Sequence, residues 1–242
     1  MLLEMLDINQ FPLVDQLIIY LIGAIIVGLV ITLLSIFIYR FRYMLFDRKQ
    51  QKFRSTLLSL LSAALNYPEK NVKYKKQLSH LVKSKWQKEM LLDELVQMSY
   101  SFSGVYEERS KELYYHFELD KISIKKLSSA YTYRIVEGII ELSIVGNKSA
   151  YSSILPLVDH HESQVRKQAK IAMVEIGEIK GLMEMESRIG IMSKWTFLSI
   201  LSILHRSPFK LNKHQLEQLK NSKNPATRRL TNYLDKYSVT YQ

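Results

Sequence analysis

The sequence predicts an all-α protein: an N-terminal transmembrane helix, then a helical bundle, then an α-solenoid of stacked helix pairs. Three observations predict it. Residues 17–39 run for 23 positions without a formal charge. Beyond them the apolar residues recur at helical spacing, and no alternating run bounded by turns demands a strand. From about residue 120, short motifs recur roughly every 31 residues, the mark of a stacked array. These observations divide the chain into a short external N-terminus (1–16), the span (17–39), a juxtamembrane helix and bundle (40–119) and the repeats (120–242).

The span comes first. Leu17 to Tyr39 would reach about 34 Å as a helix, enough to cross a bilayer core of about 30 Å with some tilt. Pro12 breaks any helix before it. Gly23 and Gly28 are five apart, so they do not form the small-xxx-small dimer spacing. Gly28, Thr32 and Ser35 do place small residues along one face. Charge then sets an orientation. Residues 1–39 hold Glu4, Asp7 and Asp15 and no Lys or Arg. All 34 basic residues follow, against 20 acids, so that part carries +14. Arg40, Arg42, Arg48, Lys49, Lys52 and Arg54 crowd the C-terminal end of the span. The positive-inside rule puts the N-terminus outside and the large domain in the cytoplasm, on the inner membrane. These six residues also rest on anionic lipid headgroups. A cleaved signal peptide is excluded by the acidic front, the length of the stretch and the lack of a small-residue cleavage site. With no cysteine, disulfides, thiol catalysis and Cys-based metal sites are excluded.

The bundle follows. Phe53, Leu57, Leu60, Leu61, Ala64 and Leu65 make an amphipathic stripe that Asn66-Tyr67-Pro68 ends. Leu78, Leu81, Val82 and Trp86 begin a second stripe, extended by Met90, Leu91, Leu95, Val96 and Met98. Ser103-Gly104 breaks it. Val105 to Leu119 reads as one more helix.

In the repeats, Tyr133-Arg134-Ile135-Val136-Glu137-Gly138 opens one unit and Val165-Arg166-Lys167-Gln168-Ala169 the next. Thr227-Arg228-Arg229-Leu230 lies two units further, and Lys194-Trp195-Thr196-Phe197-Leu198 falls where the missing unit should start. Val145-Gly146 to Ala150 and Ile176-Gly177 to Gly181 give a second register with the same period. Each unit thus holds a long helix, a Gly-containing turn and a shorter helix. Glu162-Ser163 and Asn224-Pro225 sit where capping residues and a first-turn proline belong. One helix pair cannot bury its apolar face, whereas stacked pairs can.

The stretch His161 to Ala169, with Ala172, Ile176 and Gly177, resembles the start of a HEAT repeat. Asn224-Pro225-Ala226-Thr227-Arg228 carries the same pattern with Thr for Val. The resemblance covers about residues 120–238. It implies structural roles for Arg134, Arg166 and Arg228 on neighbouring turns, for Ala169 between helices, and for Gly146 and Gly177 at helix ends. It names a scaffold rather than an activity. The whole plan, with Tyr133–Leu142 and Ser193–Leu201, is similar to small bacterial single-span membrane proteins with a cytoplasmic HEAT domain. That likeness implies association with a membrane glycosyltransferase of surface-polysaccharide synthesis or export.

Catalytic groups are sparse. The six histidines form no His-x-x-x-His or His-Glu-x-x-His pattern. His160-His161 reads as a surface turn. Glu107-Glu108 and Glu184-x-Glu186 read as solvated charge beside Arg109 and Arg188. There is no phosphate loop and no Gly-x-Ser-x-Gly elbow. No cofactor, metal or small-molecule substrate is expected, and the chain does not read as an enzyme. The expected partners are an integral membrane protein and membrane lipid, with the short second helices (149–158 and 179–187) as contact surfaces. The competing class is a membrane-tethered nucleic-acid binder. It rests on Lys73, Lys75, Lys76, Lys83, Lys85 and Lys88 with Tyr74 and Trp86 interleaved. Membrane anchoring favours a solvent- or lipid-facing helix there, so nucleic acid ranks second.

Overall fold

The computed structural model describes residues 12–67, 71–101, 104–188, 193–206, 213–222 and 224–237, and these contain α-helices and 3₁₀ turns but no strand. The chain divides into two compact units, Met1–Ser59 and Leu60–Gln242. Most of α1 (Leu13–Asn66) lies in the first. It is one unbroken helix of 54 residues, which runs on from the apolar stretch through Arg40–Tyr43 into the amphipathic stripe that starts at Phe53. The reason is local: no Gly or Pro lies between Tyr39 and Asn66. Its N-terminal half is long and apolar enough to cross a membrane. Thr32 and Ser35 donate their hydroxyls to the carbonyls of Gly28 and Ile31, each at 2.8 Å. The helix thereby satisfies its own polar groups, as an apolar surrounding demands. Arg40, Arg42, Arg48, Lys49, Lys52 and Arg54 are all exposed on α1.

In the second unit, Leu61, Ala64 and Leu65 at the end of α1 are buried. There Arg109 donates to the Leu65 carbonyl and Tyr106 to Asn66 Oδ1 at 3.1 Å. The helices α2 (Asn71–Leu81) and α3 (Lys85–Ser101) follow. The break between them is capped by Gln87, whose Oε1 accepts from the backbone N–H of Lys83 and Ser84. The single helix expected over Val105 to Leu119 is in fact two, α4 (Val105–His116) and α5 (Leu119–Lys126). Glu118 between them is left-handed, φ 53°. The turn lets both Phe117 and Leu119 bury, which one straight helix would point about 200° apart.

The remaining helices are α6 (Thr132–Val145), α7 (Tyr151–Ile154, flanked by 3₁₀ turns), α8 (Ser163–Arg188), α9 (Lys194–Arg206), α10 (Lys213–Lys220) and α11 (Pro225–Tyr237). The long helices α6, α8, α9 and α11 begin at 132, 163, 194 and 225, 31 residues apart each time. Equivalent positions share a fate. Gly138, Ala169, Ile200 and Thr231 are all buried, as are Leu142, Met173 and Leu204. One apolar core runs continuously from Leu127 to Leu230.

The turns show how the period is held. Arg166 Nη1 donates to the His160 carbonyl at 2.7 Å, and Arg228 Nη1 to the Ser222 carbonyl at 2.7 Å. Arg134 is one residue out of that register. It lies on the Tyr133 ring and 4.0 Å from Glu89 instead. Ser193 Oγ accepts from the Thr196 N–H and Asn224 Oδ1 from the Ala226 N–H, capping α9 and α11. Gly146 ends α6 in the left-handed region at φ 69°. In the next unit the left-handed residue is not Gly177 but Glu178, φ 52°, where α8 breaks. Gly177 is small because the Tyr151 ring lies against it, and Gly181 because the Met173 carbonyl does.

A close helix contact against backbone lies at Gly138. A Cβ there would stand 2.7 Å from the Ser123 carbonyl and 2.8 Å from Lys126 Cβ. Gly138→Ala will cost about 1–3 kcal/mol through overpacking. Thermal unfolding of the detergent-solubilised chain reads this as a lowered midpoint. Gly23→Ala, with nothing within 4 Å, will leave the midpoint unchanged.

Candidate functional site

Three elements build one polar cluster in an otherwise apolar unit. From α5, Lys126 turns inward and is only 6 % exposed. From α6 come Glu137 and Glu141, one turn apart on one face. From α3 comes Asp93. Lys126 Nζ touches Glu141 and lies 3.2 Å from Glu137. The carboxylate oxygens of Asp93, Glu137 and Glu141 lie within 4.8 Å of one another. Below them Tyr114, fully buried, donates to Ser123 Oγ at 3.1 Å.

The electrostatics are unbalanced. Burial raises the Glu141 carboxyl above its ordinary range, and the Lys126 hydrogen bond only partly offsets this. Burial opposes the charge on Lys126, yet Glu141 and Glu137 together hold its pKa above the usual lysine value. Asp93, at the exposed side of the cluster, is also raised: partial desolvation, with Glu137, Glu89 and Glu94, outweighs the attraction of Lys126. Three carboxylates thus share one ammonium.

The cluster forms the floor of an open groove of about 570 Å³ between α3 and α6. Val96, Val136, Ile140 and Ile144 make its walls. Tyr100 and Tyr133 stand at its rim, both more than 60 % exposed. Chemically the arrangement can hold a positive group under an apolar cover. It offers no activated nucleophile.

The sequence-predicted residues fall elsewhere. Arg166 and the His160-His161 turn form one unit, with both carbonyls accepting from the guanidinium. Ala169 is fully buried between helices. Of the basic run, Lys75 is tied to Glu112, while Lys73 and Lys76 are exposed. Among the described residues, the large exposed apolar residues of the repeats are Tyr131, just before α6, and three on the long helices. Tyr133 and Trp195 occupy the same second position of α6 and α9, and Leu198 is exposed beside Trp195. The short helices carry exposed Ser152 and Ser153 instead. The acidic trio is absent from the sequence reading. Its signal was Glu137-x-x-x-Glu141, two acids at helical spacing inside the most apolar of the long helices.

The chain matches no known family model and no curated protein.

The buried pair makes two predictions. Lys126→Met will destabilise by about 3–5 kcal/mol, since it strands Glu141 without a cation, while Lys126→Met with Glu141→Leu will recover most of the loss. Denaturant titration checks both. In the single variant the Glu141 pKa rises further. A carboxyl raised in the folded state weakens the fold as pH climbs above the ordinary value of about 4.3. The single variant will therefore regain stability on acidification from pH 7 towards 5, more than the wild type does.

Proposed function

We propose that this chain is a non-catalytic, membrane-anchored adaptor whose helical-repeat domain holds another membrane protein. The observation that carries the reading is the 31-residue recurrence of long helices, which repeats one surface position and leaves Tyr133 and Trp195 exposed on it. Exposed aromatic residues at a repeated position suit a protein partner, because large rigid side chains supply most of the energy at interfaces. The apolar stretch of α1 supplies the anchor, with the N-terminus outside and the repeats on the cytoplasmic side of the inner membrane. The six basic residues after it sit at the lipid headgroups. On its resemblance to single-span HEAT proteins, the partner is a glycosyltransferase of surface-polysaccharide synthesis or export, which the adaptor positions.

Crosslinking followed by purification of the full-length chain from its native membrane tests this. One dominant membrane protein is expected, and Tyr133→Ser with Trp195→Ser will reduce its recovery several-fold. Recovery of nucleic acid at low salt, lost at high salt, would instead favour the basic surface around Lys73 and Lys76. The lack of native cysteine makes orientation simple to read. A cysteine at Asn9 will react with a membrane-impermeant maleimide on intact cells, and one at Ser152 will react only after lysis.

A further inference from the structure

The acidic groove is not explained by stability. Lys126 closes on Glu137 and Glu141, and to Asp93 it offers only longer-range attraction. Glu141 is 3 % exposed, yet its Oε2 accepts no hydrogen bond. The Ser123 hydroxyl beside it acts to lower the Glu141 pKa, but that single hydrogen is shared with the Leu119 carbonyl at 3.4 Å. A buried acceptor without a donor is costly, and apolar replacements would serve the fold better. The local sign is also wrong for the molecule. In a chain of net charge +11, Asp93, Glu137 and Glu141 gather around Lys126, while nearby Glu89 is met by Lys85 at 3.9 Å and Arg134 at 4.0 Å.

We propose that the groove between α3 and α6 is the docking site for a partner-protein segment that carries an arginine or lysine between apolar residues. The proposal rests on the adaptor reading and names the chemistry of its partner. The positive group would sit over Asp93 and Glu137, facing the unfilled acceptor of Glu141. Its apolar neighbours would cover Val96, Val136 and Ile140. Tyr100 at the rim offers a ring face, which attracts a guanidinium or ammonium, while Arg134 already lies over the Tyr133 ring. A hydrated divalent cation suits the place less well. It needs several oxygen ligands, and here the ammonium of Lys126 already lies between two of the three carboxylates while the walls are apolar.

The experiment selects a random peptide library, displayed on phage, against the full-length chain in lipid nanodiscs. Selected peptides are then titrated by fluorescence anisotropy against the wild type and against Asp93→Asn/Glu137→Gln. Circular dichroism confirms that the double variant keeps its helix content. The selected peptides are expected to carry Arg or Lys flanked by apolar residues. Their affinity is expected to fall about tenfold or more in the double variant, the loss of one charge-assisted contact. An absence of selected peptides, no basic enrichment, or equal binding to both proteins would overturn the proposal. So would calorimetry with calcium chloride showing one saturable site that the double variant loses, which would assign the trio to a metal. Failure of the groove and failure of the adaptor reading are separable. A native membrane partner that still binds the double variant and crosslinks only around Trp195 sinks the groove alone. Basic peptides selected on the groove, with no partner recovered from membranes, sink the adaptor reading alone.

Discussion

A pair of helices that buries one face leaves the other uncovered, and this constraint governs the second unit. The apolar core has no end within any single repeat; it passes from Leu127 through Ile139, Met173 and Ile200 to Leu230. Each long helix therefore depends on its neighbours for the burial that stabilises it, as in any quasi-one-dimensional stack. The size of the residue at the contact sets the spacing. Gly138, Ala169, Ile200 and Thr231 occupy the same position, and their volumes differ widely. Gly138 leaves no room for a side chain, which would meet the backbone of α5.

Against this apolar background the Lys126–Glu141 pair has a different logic. Two charges removed from water gain little net energy from meeting, but either one alone is a large cost. Lys126 is held in its charged form, while Glu141 is still pushed towards its neutral form. The cation is thus better served than the anions. That asymmetry follows from three acids around one base, and it is what separates this cluster from an ordinary structural ion pair.

Much of the architecture was legible in the sequence because it rests on spacing. The uncharged stretch, the helical periodicity and the 31-residue recurrence needed no knowledge of contacts. Asn224 and Pro225 could be placed at a helix start because capping is local chemistry. Three features were not legible. The division at Glu118 uses a left-handed residue that is not glycine, so no local signal marks it, whereas the break expected at Gly177 falls one residue later, on Glu178. Gly177 was read as a turn residue, but its smallness answers to the Tyr151 ring, a contact between segments. The acidic groove needed α3, α5 and α6 together, and Asp93 lies more than 40 positions from Glu137. Only the Glu137–Glu141 spacing lies within one segment of the sequence, and spacing alone does not tell a buried pair from a solvated one.

The arginine clasp has a consequence for how such a chain can vary. Arg166 and Arg228 each grip the carbonyl six positions upstream, and a carbonyl is present whatever the residue. One loop carries His160 at that point and the other Ser222, yet the distance is the same. The lock reads the main chain and is blind to the letters around it. Mutations can therefore accumulate in these loops without loosening them, leaving one arginine and a period as the lasting record. A lineage built this way would lose its written likeness long before it lost its shape.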